Sequence, residues 1–492
     1  MSQLDADNYS LRRFLCSPAG LHVGIIFLFV LSRFFYYKVA DVQFDSTTLF
    51  YYWQFLDVKL LKYELLRSVW YLHQQPPLFN LFLGIILQAF PQEYTSAFQF
   101  IYLLMGLFFA ISLFQLMLHM EVNKWVALGL TSIHTISPTT VIYEHWLFYT
   151  YPVAFLLALM ALFLYRFVKG KRLFDGFIFF ILFATTILTR QLFPMFLFCI
   201  AVVILFWAIK NNRKTVIRAA ILPCCLLFVF GIKQYILFGD FGASSIYLGQ
   251  NLAKRVLHEI PDDKYLHDKL KASADLPDWF FIKSFQPIST YAPLLKLPPP
   301  TGIKALDDEW KTGQFINFNH LAYLELSEGY LSGFIRITLQ HPEYYLKSFW
   351  RPFRYFYPAG EERLSQHLNH SETIKSITRI YKLFCCGQIR DGETGWLLVI
   401  GFPFLFLFGI LRICFLLRKR SPSQLPQLLT LIFIVGMIIV LTASTTLVSL
   451  GDFNRYRFKI DALYLTLLGV SLTKIGTLLF EKQLSEYKSR LL

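Results

Sequence analysis

Phe44-Asp45-Ser46-Thr47-Thr48-Leu49-Phe50-Tyr51-Tyr52-Trp53-Gln54-Phe55-Leu56 follows the first apolar stretch of the chain, and the loop it opens closes at His73-Gln74-Gln75-Pro76-Pro77-Leu78. The apolar stretch, roughly residues 20 to 38, matches the ~20 residues a helix needs to cross a bilayer. It lacks a small-residue cleavage site and many more apolar segments come after it, so it reads as an anchor and not as a removable signal peptide. Beyond Leu56 apolar residues at mixed helical spacing run to Trp70 with Lys59, Lys62 and Arg67 between them, which predicts an interfacial helix. Asp45 is then a lone carboxylate at the bilayer surface. It can cap that helix, accept a proton from a hydroxyl, or do both.

Working outward, 55% of the 492 residues are apolar, 18% aromatic and only 16% charged, against ~25% charged in soluble domains. The chain reads as an all-α polytopic membrane protein with about 10–11 transmembrane helices. The 52 Phe and 27 Tyr suit helix packing in lipid and its interfaces. A net charge of +15 could signal nucleic acid, but the cations cluster in short loops beside apolar segments, as the positive-inside rule expects; no nucleic-acid partner is expected. Most of the seven cysteines lie in or beside apolar stretches, where Cys acts as a small hydrophobe. No metal-ligand spacing and no disulfide framework are evident among them.

Eleven apolar segments run roughly 20–38, 78–92, 97–118, 124–143, 146–168, 173–190, 191–209, 219–239, 395–417, 425–450 and 460–480. Arg12 and Arg13 place the N-terminus in the cytoplasm and Asp45 outside. Lys169, Lys171 and Arg172, then Lys210, Arg213, Lys214 and Arg218, then Arg418, Lys419 and Arg420, mark further cytoplasmic loops, with the basic tail a fourth. The alternation requires an even number of crossings between Asp45 and Trp146, yet three segments intervene. Residues 78–92 are too short and open on Pro76-Pro77, so they are expected to be re-entrant or juxtamembrane. Glu144, Arg190, Arg455 and Arg457 then share the face of Asp45. Residues 1–239 form one transmembrane module, 240–394 a small extracytoplasmic domain with a helical run near 320–350, and 395–492 the C-terminal transmembrane helices. No internal repeat is visible.

Four constellations besides Asp45 could carry chemistry. Glu144, in Tyr143-Glu144-His145-Trp146, is either a solvated loop acid or a second carboxylate that orients an acceptor or shares a divalent cation with Asp45. Arg190, in Thr189-Arg190-Gln191, lies between apolar helices, where a cation snorkels or faces an anion; phosphate suits a guanidinium. Asp452-Phe453-Asn454-Arg455-Tyr456-Arg457-Phe458-Lys459 reads as an outer loop whose cations oppose the positive-inside bias, favouring phosphate binding. His73 could contact a phosphate or a sugar hydroxyl, or be an interfacial polar residue.

In order and sidedness, the acid after the first helix, the loop ending in Pro-Pro-Leu, the second acid, the Thr-Arg between helices and the late Arg-Tyr-Arg-Phe resemble the GT-C superfamily of polyprenyl-phosphate-sugar glycosyltransferases. The likeness is to its protein mannosyltransferase, aminoarabinose transferase and rhizobial lipopolysaccharide glycosyltransferase branch, over residues 20–240 and more weakly in the C-terminal helices. The resemblance implies a GT-C-like fold and sugar transfer from a polyprenyl-phosphate donor to a lipid, glycan or protein acceptor at the outer or lumenal face, with inversion. It implies catalytic roles for Asp45 and Glu144 and phosphate or substrate contacts for His73, Arg190, Arg455 and Arg457. The family's usual Asp-Glu pair is here Asp45-Ser46, and His73 replaces a basic residue common before Pro-Pro. No metal is usual in this branch, and a divalent cation stays an option for Asp45 with Glu144. A flippase, polymerase or transporter of lipid-linked glycans is the alternative. The expected setting is the bacterial inner (plasma) membrane in preference to the endoplasmic reticulum, where alone the sequon Asn369-His370-Ser371 would be used.

Overall fold

The computed structural model of the protein describes residues 17–242, 246–349, 356, 369, 371–388, 395–419, 421–448 and 453–491. Arg12, Arg13, Cys16, His370, Arg420 and Asp452 lie outside them. The described residues form helices and no strand, only two isolated bridges. The protein is an all-α polytopic membrane protein. Seven helices are long and apolar enough to cross a membrane.

In chain order, α1 is Pro18–Lys38; the first loop holds α2 (Val58–Tyr63) and α3 (Leu65–Trp70); then come α4 (Pro77–Ala89), α5 (Tyr94–His119), α6 (Lys124–Ile136) and α7 (Pro138–Glu144). They are followed by α8 (Thr150–Gly170), α9 (Leu173–Thr189), α10 (Phe196–Ala208) and α11 (Arg213–Phe238). The interfacial helix expected after Asp45 is thus three short helices, a four-residue turn at Thr48–Tyr51 followed by α2 and α3. Helix α4 has 13 residues, about 20 Å at 1.5 Å per residue, well under the ~30 Å hydrocarbon core; it packs on α2 and α3. The segment expected over 124–143 breaks at Ser137-Pro138, because proline removes a helical donor and clashes with the preceding turn. Leu173–Thr189 and Phe196–Ala208 are likewise shorter than a full span.

Helix α8 is the axis of the bundle. It packs against α5, α9 and two C-terminal helices, α15 (Leu425–Val448) and α16 (Phe453–Leu491), and 72% of its apolar window is enclosed, the largest share among the seven candidate spans. By contrast α14 (Trp396–Lys419) has 17% enclosed and presents its apolar surface outward, as a lipid-facing helix does. Between them, α12 (Tyr247–Glu259) and α13 (Ala322–Gln340), with shorter helices, surround a second apolar core that includes Tyr247, Phe280, Tyr291, Tyr323 and Tyr330.

A buried ion pair ties α1 to the broken helix. Arg33 donates through Nε to Glu144 Oε1 at 2.8 Å and through Nη2 to Oε2 at 2.7 Å, while its Nη1 donates to the Thr135 carbonyl at 2.7 Å. Tyr151 adds a hydroxyl to Oε2 at 2.8 Å. Gly106 leaves room for that carboxylate, since a Cβ there would lie 2.2 Å from Oε2. Removing one partner strands a buried charge, so Glu144→Gln or Arg33→Met should cost about 3–5 kcal/mol. Thermal unfolding in detergent is the measurement, and the double replacement Arg33→Met with Glu144→Leu should recover most of the loss.

Candidate functional site

Asp45 is fully buried and fixed from both backbone sides. Its N–H donates to the His145 carbonyl at 2.7 Å, and its carbonyl accepts from Leu147 N–H at 2.9 Å, forming a short parallel bridge with Trp146. The carboxylate is divided in its duties. Oδ1 accepts from the backbone N–H and hydroxyl of Thr47, the local turn bond that Asp favours. Oδ2 is buried and has no hydrogen-bond partner among the described residues. Oδ1 thus closes a local turn and caps no described helix: the cap of α2 is Asp57, whose carboxylate accepts from Lys59 N–H at 2.7 Å. Tyr51 stands close by: burial and the Asp45 charge raise its hydroxyl above the ordinary value.

Trp146 leads from Asp45 to a cluster of cations. Arg455 lies 5.9 Å from the Trp146 ring and 4.7 Å from that of Phe148, and its Nη1 donates to the Tyr52 hydroxyl at 2.8 Å. The expected outer loop at 452–459 is helical from Phe453 on, and this corrects the reading of its cations. In a helix, residues two apart point to opposite sides and residues four apart share a face. Arg455 and Lys459 therefore face one way and Arg457 the other. Arg457 donates to Asp461 at 3.2 Å and to the Phe356 carbonyl at 3.3 Å, and sits over Phe402.

Arg190 meets the other two cations around shared rings. Helix α9 ends one residue before it, and extended backbone at φ −144° and ψ 126° turns its side chain inward. Pro194 restricts Phe193 and delays the next helix. Only 2% exposed, Arg190 lies 4.5 Å from the Tyr149 ring and donates through Nη2 to the Tyr456 hydroxyl at 3.2 Å. Lys459 Nζ is 4.4 Å from the Tyr456 ring and 5.8 Å from that of Tyr149. Nε and Nη1 of Arg190 have no partner among the described residues, and a buried unsatisfied donor on a charged group is costly.

Glu144 and His73 stand apart from this cluster. Glu144 has both oxygens engaged by Arg33 and Tyr151, so the structure commits this carboxylate to a buried ion pair and not to a shared site with Asp45. Among the described residues no group of three or more His, Cys, Asp or Glu is placed to hold a metal. His73 is buried; its Nε2 lies 2.9 Å from the Asn319 carbonyl and its N–H donates to Asn319 Oδ1 at 2.9 Å. Burial pulls the imidazole down to about 3, and a neutral ring committed to a carbonyl brings no positive charge to a phosphate. What sequence reasoning left out is the aromatic frame: Tyr52, Tyr149 and Tyr456 hold the guanidinium groups, and Tyr247, at the start of α12, donates to Gln74 at 3.3 Å.

The segment leading into α13 also buttresses the first loop. Lys311 Nζ is buried and donates to the carbonyls of Tyr52, Trp53 and Phe55 at 3.0, 3.2 and 2.6 Å. Asn319 Nδ2 donates to the Tyr71 carbonyl at 3.1 Å.

No protein-family model and no curated protein matches the chain. Among solved structures it is similar to the Archaeoglobus fulgidus oligosaccharyltransferase in its apo form, at 13% identity and a TM-score of 0.35 over 94% of this chain and 52% of that one. The chain thus spans about half the length of that structure, and a likeness of this depth assigns no chemistry to any residue.

The folded protein holds His73 neutral while the unfolded chain protonates it near 6.5, so below that pH unfolding takes up a proton and stability falls as the pH drops toward about 3. In His73→Gln the melting temperature should depend less steeply on pH between 6.5 and 4. An unchanged slope would mean that the ring is charged in the fold.

Proposed function

We propose that the protein is a membrane glycosyltransferase that moves a sugar from a polyprenyl-phosphate donor to an acceptor hydroxyl at the extracytoplasmic face. The observation that carries this reading is Arg190, a buried guanidinium with two nitrogens unpartnered among the described residues, joined through Tyr456, Arg455 and Trp146 to a buried carboxylate with one oxygen unengaged among those residues. A base and an anion site side by side at one end of a helix bundle are what such a transfer requires. The order of the short motifs, which resembles that of GT-C enzymes, supports the same reading.

The chemistry follows from the side chains. Thr47 holds Oδ1 of Asp45, leaving Oδ2 to take the proton of the acceptor hydroxyl. The hydroxyl oxygen attacks the anomeric carbon from the face opposite the phosphate; the bond from that carbon to the phosphate oxygen breaks, and the configuration inverts. The leaving phosphate takes up the electron pair and needs no general acid. Arg190, Arg455 and Lys459 stabilise its charge from preorganised positions, where buried electrostatics are strongest. Glu144, His73 and Arg457 support the fold around these groups.

Transfer from polyprenyl-phosphate sugars by purified protein tests the assignment. Asp45→Asn should lower turnover by roughly 10²–10⁴-fold, the usual worth of a general base, with donor binding retained. Arg190→Gln should weaken donor binding. If Asp45→Asn transferred sugar at the wild-type rate, the base assignment would fail.

A further inference from the structure

Beside the proposed site lies an open cleft of ≈ 520 Å³ whose lining carries no charged residue. Tyr51, Tyr52 and Trp53 of the first loop form one wall, and Phe285, Trp310 and Phe315 of the outer domain form the other. The second wall is built by one tight turn. Trp310 pairs with Ile316 in an antiparallel bridge, Lys311 N–H donates to the Phe315 carbonyl at 2.7 Å, and Gly313 and Gln314 adopt positive φ of 89° and 62°. The turn works in two directions: Lys311 plugs into the first-loop carbonyls, while Trp310, Gln314 and Phe315 face the cleft.

We infer that this cleft binds the acceptor and that the acceptor is an uncharged carbohydrate. The inference rests on the proposed transfer for its direction and goes beyond it in naming the acceptor class. Three observations favour that occupant. Trp310 and Phe315 are 44% and 41% exposed, so flat aromatic faces stand in water, ready to cover the apolar C–H faces of pyranose rings, while Gln314 and the Trp310 indole N–H reach hydroxyls. The lining residues lie in the first loop and the outer domain, outside the seven candidate spans, where a lipid tail would lose its contact with the bilayer. The cleft is also continuous with the site: Tyr52 both lines it and accepts from Arg455, and Tyr51 both lines it and feels the Asp45 charge.

The test uses the full-length protein in detergent, without donor, and soluble neutral oligosaccharides of about three to six pyranose units, with binding read by saturation-transfer NMR. Wild type should bind, and Trp310→Ala and Phe315→Ala should each bind about 10-fold more weakly, as loss of an aromatic anchor commonly does, with unchanged melting temperatures. No saccharide binding to wild type, or undiminished binding by both variants, overturns the assignment; so does preferential occupancy by a prenyl chain or an unstructured peptide. Saccharide binding lost in the variants, together with no transfer from any polyprenyl-phosphate sugar, would keep the cleft and sink the proposed reaction.

Discussion

Two backbone hydrogen bonds, from Asp45 N–H to the His145 carbonyl and from Leu147 N–H to the Asp45 carbonyl, hold the first loop against the connection into the central helix. Every feature of the site depends on that seam. It buries Asp45, sets Trp146 between the carboxylate and Arg455, and starts α8 with Tyr149 and Thr150 on the same end as the cations. Because strand-like pairing of a single residue is weak alone, it is braced on both sides. Thr48 donates its hydroxyl to the Leu147 carbonyl at 2.8 Å, and the Arg33–Glu144 pair locks the turn that precedes it.

The balance of charge around the seam is set by packing. Aromatic rings surround Arg190, Arg455 and Lys459, and aromatic faces attract cations while excluding water. Such a frame keeps guanidinium groups oriented. Arg33 and Arg457 also have carboxylates within reach.

The all-helical membrane character was readable from the chain, because hydropathy reports long apolar segments. Asp45, Arg190 and Arg455 stand out as polar residues where lipid makes them expensive. What was not readable depended on distant partners or on local conformation. Glu144 looks like an available acid until Arg33, 111 residues earlier, closes on it. Arg457 looks equal to Arg455 until the segment is seen to be helical, when spacing of two separates them and spacing of four brings in Lys459. His73 looks like a ligand because Asn319, whose carbonyl and side chain engage it, comes 246 residues later. The Pro138 break was visible as a residue but masked by the apolar run around it.

The Lys311 strut has a consequence for how the protein is made. Its three carbonyl acceptors are synthesised first and wait 256 to 259 residues for their donor, and Tyr52 waits 403 residues for Arg455. Contacts this distant in sequence form late, because a long loop must close before they are rewarded. The spans can enter the bilayer one after another, yet the end that gathers Asp45, Arg190 and Arg455 cannot be finished until α16 has left the ribosome. A nascent chain stalled anywhere before α16 would span the membrane without Arg455 and Lys459 in that cluster.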